Sequence, residues 1–149
     1  MDRTAAMLNQ VLVTAFNQIT KIEHKALSQG VFQDLTISEI HTIEQIGRAD
    51  SPTMSDIAAR LSVTLGTLTT SVNRLVKKGY VQRIPSQVDR RITHLALTPR
   101  GKEADQFHQQ FHREMIQVIL DHTTPQEQLV LEKALEHVLQ FFNEKYQIT

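Results

Sequence analysis

Residues 53–78 read TMSDIAARLSVTLGTLTTSVNRLVKK, and they predict two helices joined by a short turn. Thr53 and Asp56 have the spacing of a capping box, in which each side chain bonds the other's backbone N–H at a helix start. Thr64 caps a second helix, and Gly79 stops it. The segment is therefore predicted to be a helix-turn-helix.

Helical periodicity gives the second helix two unlike faces. At about 100° per residue, its leucine and valine side chains share one side, which is expected to pack on the protein. The other side has small side chains near the start of the helix and then hydroxyl, amide and cationic groups. This arrangement suits the major groove of DNA. A solvated face is the alternative, but helix propensity does not explain so many threonines. The predicted DNA-binding residues of this helix are Thr64, Gly66, Thr67, Thr70, Asn73, Arg74 and Lys77.

The stretch after the second helix alternates with a period of two and predicts a β-hairpin. Residues 80–84 and 92–97 are rich in strand-forming side chains, and the mostly polar and basic segment between them is longer than a tight turn. A helix-turn-helix followed by a basic hairpin is a winged helix-turn-helix. We assign residues 36–97 to this DNA-binding region.

The tip of the hairpin is predicted to bind DNA through Arg83, Arg90 and Arg91. Arginine in a narrow minor groove gains from the enhanced negative potential there, and the flanking phosphates add to the attraction. Asp89 carries the opposite charge beside two of these arginines. We predict that Asp89 pairs with a nearby guanidinium and so holds the tip in shape.

The charge distribution indicates a polyanionic partner for the central third of the chain. The whole protein is formally neutral, with 16 basic and 16 acidic residues. Between residues 60 and 102, however, nine basic residues and one acidic residue give a net charge of +8. Such a concentration favours a nucleic-acid partner, although a solvated basic surface would give the same count.

Two helices are predicted before the helix-turn-helix. An apolar stripe of heptad type indicates a helix over about residues 4–27. A shorter helix follows over about residues 38–46, with Thr36 as its cap and Gly47 closing it.

Two long helices are predicted to end the chain. The Thr-Pro pairs at 98–99 and 124–125 each place a capping hydroxyl before a proline at the first helical position. The expected fold is mainly α with a small β wing, in a single domain of residues 1–149. Residues 1–30 and 98–149 would form dimerisation helices.

The composition excludes several classes of function. The chain has no cysteine, which rules out disulfide bridges, thiol-based sensing and thiolate zinc sites. It contains no nucleophile elbow, phosphate-binding loop or dinucleotide fingerprint, so we expect neither an enzyme nor a cofactor. Because no apolar stretch could span a membrane and no signal peptide is evident, we expect a cytoplasmic protein without a membrane partner.

Several of these motifs together resemble the MarR family of transcriptional regulators. The family's wing motif, Asp-x-Arg followed by Leu-Thr-x-x-Gly, is present as Asp89, Arg91 and residues 97–101. The similarity covers nearly the whole chain, including the order of the helices. It implies a homodimer that binds a double-stranded, A/T-rich pseudo-palindrome, with Arg91 in the minor groove and Asp89 as its structural partner.

A narrower resemblance is to the fatty-acid-biosynthesis repressors of Gram-positive bacteria, the FabT type. It rests on residues 39–43, 63–73 and 91–95. It implies a repressor of type II fatty-acid synthesis genes, whose corepressor is a long-chain acyl group carried on acyl carrier protein. An acyl chain needs an apolar pocket, whose candidate walls are Phe16, Phe107 and Phe111, although each could be ordinary core.

The alternative is a regulator that responds to another effector, such as zinc or a small aromatic or lipophilic ligand. His108 and His112 have an i, i+4 spacing that can seat two imidazoles on one metal ion. His24 and His41 lie in helices that could pack nearby, with Glu23 available. Against zinc, no cysteine contributes, and scattered histidines are usually hydrogen-bonded or surface groups.

Overall fold

The structure is a computed structural model, and it describes residues 2–147, so Met1 and residues 148–149 of the predicted terminal helices lie outside the described part. Seven α-helices and two strands make up the described chain. The helices are α1 (Arg3–Gln10), α2 (Phe16–Gln29), α3 (Ile37–Arg48), α4 (Met54–Arg60), α5 (Leu65–Lys77), α6 (Pro99–Asp121) and α7 (Pro125–Tyr146). The strands are β1 (Val81–Pro85) and β2 (Thr93–Leu97). The predicted fold class is confirmed.

The chain divides into two compact units, which meet in sequence within α6. The first, here called the winged unit, ends at Gln106, and the second begins at Phe107. The first predicted helix is longer than expected and is interrupted by a π-helical turn, Val11–Ala15, between α1 and α2. Within residues 2–147, none of the helices has the length and apolar character needed to cross a membrane.

Threonine side chains fix the starts of five helices. At Thr36, Thr53, Thr64, Thr98 and Thr124 the hydroxyl oxygen accepts a hydrogen bond from the backbone N–H three residues later. Capping boxes are complete at Thr36, Thr53 and Thr124, which confirms the box predicted at Thr53. The hydrogen bond from the backbone N–H of Thr53 holds the pKa of Asp56 below its usual value, because it stabilises the carboxylate.

The core of the winged unit is formed by the apolar sides of α3, α4 and α5 and by the base of the wing. Its most deeply buried side chains include Ile40, Ile43, Ile57, Leu68, Val72, Leu75, Tyr80 and Leu95. Strands β1 and β2 pair antiparallel from Val81 opposite Leu97 to Pro85 opposite Thr93. The backbone N–H of Leu95 also donates to the carbonyl oxygen of Pro52, so the wing is tied to the segment before α4.

Gly47 does not close α3, contrary to the sequence prediction. The helix continues through it to Arg48. A Cβ atom at Gly47 would stand 2.7 Å from Oδ2 of Asp105 and 3.1 Å from Cδ1 of Leu97. Gly47 therefore allows Asp105 and Leu97 to pack closely against α3 instead of ending the helix. Its position in the sequence does not indicate this role.

Candidate nucleic-acid interface

Helix α5 presents a polar face whose direction is fixed by its buried side. Leu68, Val72 and Leu75 are almost completely buried, and Thr64 caps the first turn by accepting from the N–H of Thr67. The predicted two-faced helix is confirmed, because every one of its predicted DNA-binding residues is exposed: Thr64, Gly66, Thr67, Thr70, Asn73, Arg74 and Lys77. That they contact DNA stays a prediction.

Hydrogen bonds within α5 limit what its threonines can offer a ligand. The hydroxyl of Thr70 donates to the carbonyl oxygen of Gly66 at 3.2 Å. The hydroxyl of Thr64 donates to that of Thr67 at 2.9 Å. Thr70 therefore offers a nucleotide its methyl group and an oxygen lone pair, whereas Thr67 keeps its own proton to donate.

Arg83 lies in the middle of β1, and its predicted position at the hairpin tip is wrong. It pairs with Leu95 of β2, and the ladder extends two residues further to Pro85. Its Nη2 atom donates a 2.6 Å hydrogen bond to Oδ1 of Asn73 on α5. Both side chains are exposed, so Arg83 joins the wing to the polar face of α5 at a place open to a ligand.

Asp89 shapes the hairpin tip through a backbone hydrogen bond. Its Oδ1 atom accepts from the backbone N–H of Arg91 at 2.9 Å, and its carbonyl oxygen accepts from the N–H of Ile92 at 3.0 Å. In residues 2–147 no guanidinium lies within ion-pair distance of Asp89, so the predicted guanidinium partner is wrong. Arg90 and Arg91 are exposed beside it and form no internal ion pair in the same range.

A cleft of about 450 Å³ lies beside Arg91, between the first residues of α4 and α5 and the beginning of β2. It is lined by Thr53, Met54, Ser55, Leu65, Arg91, Ile92 and Thr93. Hydroxyl groups thus stand in the same cleft as a guanidinium. Proteins often bind the phosphate oxygens of DNA with this combination of donors.

Two of the nine cations in the basic segment form ion pairs with carboxylates inside the winged unit. Lys78 forms an ion pair of 2.8 Å with Glu39 and donates to the carbonyl oxygen of Asp34. Arg100 stacks on the ring of Tyr80 at 4.5 Å and lies 3.5 Å from the Asp34 carboxylate. The net charge of +8 therefore overstates the charge offered to a partner, because Asp34 and Glu39 precede the segment in sequence.

Tyr80 closes this polar cluster from within the core. Its hydroxyl donates to Oδ1 of Asp34 at 2.7 Å, and the ring itself is completely buried. Burial, followed by this hydrogen bond, raises the pKa of Tyr80 to about 12. The cluster joins the end of α5 to the beginning of α3, which fixes the direction of α5.

The histidines of the alternative metal site are distributed over both units. In the winged unit Nε2 of His41 is 3.1 Å from Oε1 of Glu23, and His24 is exposed. In the second unit the Nε2 atoms of His108 and His112 are 3.1 Å apart. The metal alternative stays a prediction.

The three phenylalanines predicted to line an effector pocket differ in exposure. Phe16 has 70% of its surface exposed. Phe107 and Phe111 are half-buried and stand one turn apart on α6, and the ring of Phe111 meets that of His112 edge-on at 5.4 Å. Their role as pocket walls stays a prediction.

Apolar side chains remain exposed along the helices at both ends of the chain. The largest of them include Leu8, Leu12, Phe16 and Ile22 near the beginning and Leu129, Val130, Leu135 and Leu139 on α7. Each is at least half exposed. Exposed apolar side chains in such numbers usually mark an interface with another protein.

Comparisons with known proteins agree with the winged helix-turn-helix described above. The sequence pattern of the MarR family matches residues 33–92. The multiple antibiotic resistance protein MarR of Escherichia coli strain K12 is 34% identical over 107 residues, which cover 71% of this chain and 74% of that protein. The corresponding Salmonella typhimurium protein is 32% identical with the same coverage.

Two solved structures with DNA are also similar to this chain. Streptococcus pneumoniae FabT in complex with DNA is 39% identical, with a TM-score of 0.89, over 94% of this chain and 98% of FabT. A mutant of E. coli MarR complexed with operator DNA is 30% identical, with a TM-score of 0.67, over 93% and 99%. The chain thus belongs to the MarR family, whose members are DNA-binding transcriptional regulators and not enzymes.

Proposed function

We propose that the protein is a homodimeric repressor of fatty-acid-biosynthesis genes, with long-chain acyl-(acyl carrier protein) as its corepressor. The observation that carries the proposal is the similarity to DNA-bound FabT, at 39% identity over 94% of this chain. That similarity exceeds the 30% identity to operator-bound E. coli MarR. We expect the protein to act in the cytoplasm.

In the proposed complex, α5 is the recognition helix. The two recognition helices of a dimer would enter successive major grooves about 34–36 Å apart, and the wings would reach the flanking minor grooves of A/T-rich DNA. The exposed polar face of α5 and the free guanidinium groups of the tip support this mode. The proposed contacts are Thr64, Gly66, Thr67, Thr70, Asn73, Arg74, Lys77, Arg83, Arg90 and Arg91, with Asp89 shaping the tip.

The apolar stripes on the terminal helices support the proposed homodimer. A second copy of the chain would cover side chains such as Leu12 and Leu139, which are 51% and 63% exposed. Covering them would remove apolar surface from water, which is the main driving force for such association. We place the dimerisation helices in residues 1–30 and 98–149.

The corepressor would act by selecting one arrangement of the dimer. A ligand can change the affinity for DNA only as far as it prefers the spacing of recognition helices that fits the operator. We propose that the acyl chain is held by apolar side chains of the dimer-forming helices, with Phe16, Phe107 and Phe111 as candidates.

Fluorescence-anisotropy titrations would test the proposal directly. The DNA is an A/T-rich inverted repeat from upstream of fatty-acid-synthesis genes, titrated with and without long-chain acyl-(acyl carrier protein). Unacylated carrier protein and a scrambled duplex are the matched controls. Tighter operator binding with the acylated carrier alone is expected. Specific binding that ignores the acylated carrier would leave a DNA-binding regulator with a different effector.

The second candidate effector is zinc, and the observation that favours it is the pair of converging imidazoles at His108 and His112. The same titration with added zinc, and then with a chelator, separates the two candidates. A zinc response that His108→Ala and His112→Ala both abolish would favour the metal. A response unchanged by these variants would place zinc elsewhere.

A further inference from the structure

We propose that Arg83 and Asn73 read DNA as one unit, in which Arg83 orients the Asn73 amide so that its NH2 group faces the base edge and selects guanine. The inference rests on the proposed DNA-binding mode, in which α5 lies in the major groove. It concerns a hydrogen bond between a strand of the wing and the recognition helix, two elements expected to contact different grooves.

The chemistry of the two groups fixes the orientation of the amide. A guanidinium carries only hydrogen-bond donors, so the Asn73 atom 2.6 Å from Nη2 of Arg83 must be the oxygen. The amide NH2 group therefore points away from Arg83. Within residues 2–147 it donates to no protein acceptor, and both side chains are exposed, so the two hydrogens are open to a ligand.

Asn73 also lies within the central part of the exposed helix face. At about 100° per residue, Gly66, Thr70, Asn73 and Lys77 fall within an arc of roughly 60°. Gly66 meets nothing within 4 Å of a Cβ placed on it, which leaves room for the close approach of DNA. A base edge that reaches this part of the face would meet the Asn73 amide.

The fixed amide changes which base Asn73 can recognise. A freely turning asparagine pairs with adenine by accepting from N6 at its oxygen while donating to N7. Here the guanidinium of Arg83 holds that oxygen, and it crowds and repels the adenine amino group. Guanine instead presents two neighbouring acceptors, O6 and N7, which attract both the NH2 group and the guanidinium.

The test is a selection of inverted repeats with randomised half-sites, followed by sequencing. The proteins are the parent, Asn73→Ala, Arg83→Ala, the double variant, and Arg90→Ala as a wing-tip control without a bond to α5. The position read by Asn73 is the one where Asn73→Ala loses its preference. We expect the parent to favour guanine there by between about fivefold and a hundredfold, the range of a good base contact.

Arg83→Ala should shift the preference at that position towards adenine, since the released amide can turn. Arg90→Ala should bind more weakly but keep guanine, and the double variant should match Asn73→Ala. Low salt keeps a weak variant measurable, because lower ionic strength strengthens binding to phosphates. A parent that favours adenine there, or an Arg83→Ala variant that keeps guanine, would overturn the inference alone. A parent that enriches no inverted repeat would overturn the proposed function as well.

Discussion

Replacing Asp89 by alanine should weaken operator binding, although it removes a negative charge from a DNA-binding surface. The Asp89 carboxylate accepts from the backbone N–H of Arg91 at 2.9 Å, and this bond bends the tip between the two wing strands. Without the acceptor the tip samples more conformations. The arginines must then be ordered at the moment of binding, which costs free energy.

The size of the effect follows from two opposing contributions. A solvent-exposed hydrogen bond of this kind stabilises the folded tip by about 0.5–1.5 kcal/mol, which corresponds to a two- to twelvefold change in affinity. Repulsion between an exposed carboxylate and phosphates amounts to less than about 1 kcal/mol where the Debye length is about 8 Å. We therefore expect the lost hydrogen bond to outweigh the relieved repulsion, so that Asp89→Ala binds more weakly than the parent, by up to about tenfold, at about 0.15 M salt.

Asp89→Asn separates the two contributions, because asparagine keeps an oxygen acceptor for the N–H of Arg91 and loses the charge. Anisotropy titrations of the parent and both variants on one operator duplex measure the difference. The Asp89→Asn variant should bind the operator at least as tightly as the parent, while the Asp89→Ala variant binds it more weakly. Tighter binding by the alanine variant would refute the argument, since repulsion by the charge would then outweigh the hydrogen bond.

Four further variants test other parts of the interface and its support. Arg91→Ala should weaken operator binding by about fivefold to a hundredfold in the same titration, and binding equal to the parent would remove it from the interface. Lys77→Ala should reduce the slope of log affinity against log salt by about one; an unchanged slope would mean no phosphate contact. Gly101→Ala would push a Cβ into the carbonyl oxygen of Tyr80, so urea unfolding should show a loss of about 1–3 kcal/mol. Because burial and Asp34 raise the pKa of Tyr80 to about 12, its stabilising effect is complete below pH 10 and is lost as the pH rises towards 12. The melting temperature of the parent should therefore fall more steeply over that range than that of Tyr80→Phe.

Local hydrogen bonding explains which parts of the fold the sequence predicts. The starts of α4, α5 and α7 depend on a threonine and the residues within one turn of it, so a short window of sequence contains the cause. The two faces of α5 are likewise a matter of helical period. These features include most of the predicted interface.

Tertiary contacts determine the roles of Gly47 and Arg83, which the sequence alone does not predict. Glycine commonly ends helices, but the role of Gly47 depends on its packing against Asp105, which lies far away in sequence. The position of Arg83 depends on how far the pairing of β1 with β2 extends. The run of polar residues in the sequence does not mark where that pairing ends. The bond of Arg83 to Asn73 crosses from strand to helix, so no spacing rule would find it.

Lys77 and Lys78 show why the net charge of a segment does not measure its attraction for DNA. They are adjacent lysines, but successive side chains of a helix point in directions about 100° apart. Lys77 is exposed on the outer side of α5, whereas Lys78 caps its end and reaches Glu39 and Asp34. With Arg100 also engaged by Asp34, seven of the nine cations in the segment remain for a polyanion. Counterion release depends only on cations that can reach phosphates. The salt dependence of DNA affinity should therefore be smaller than the charge count of the segment predicts, because the geometry at the end of α5 removes Lys78 from the cations that can reach DNA.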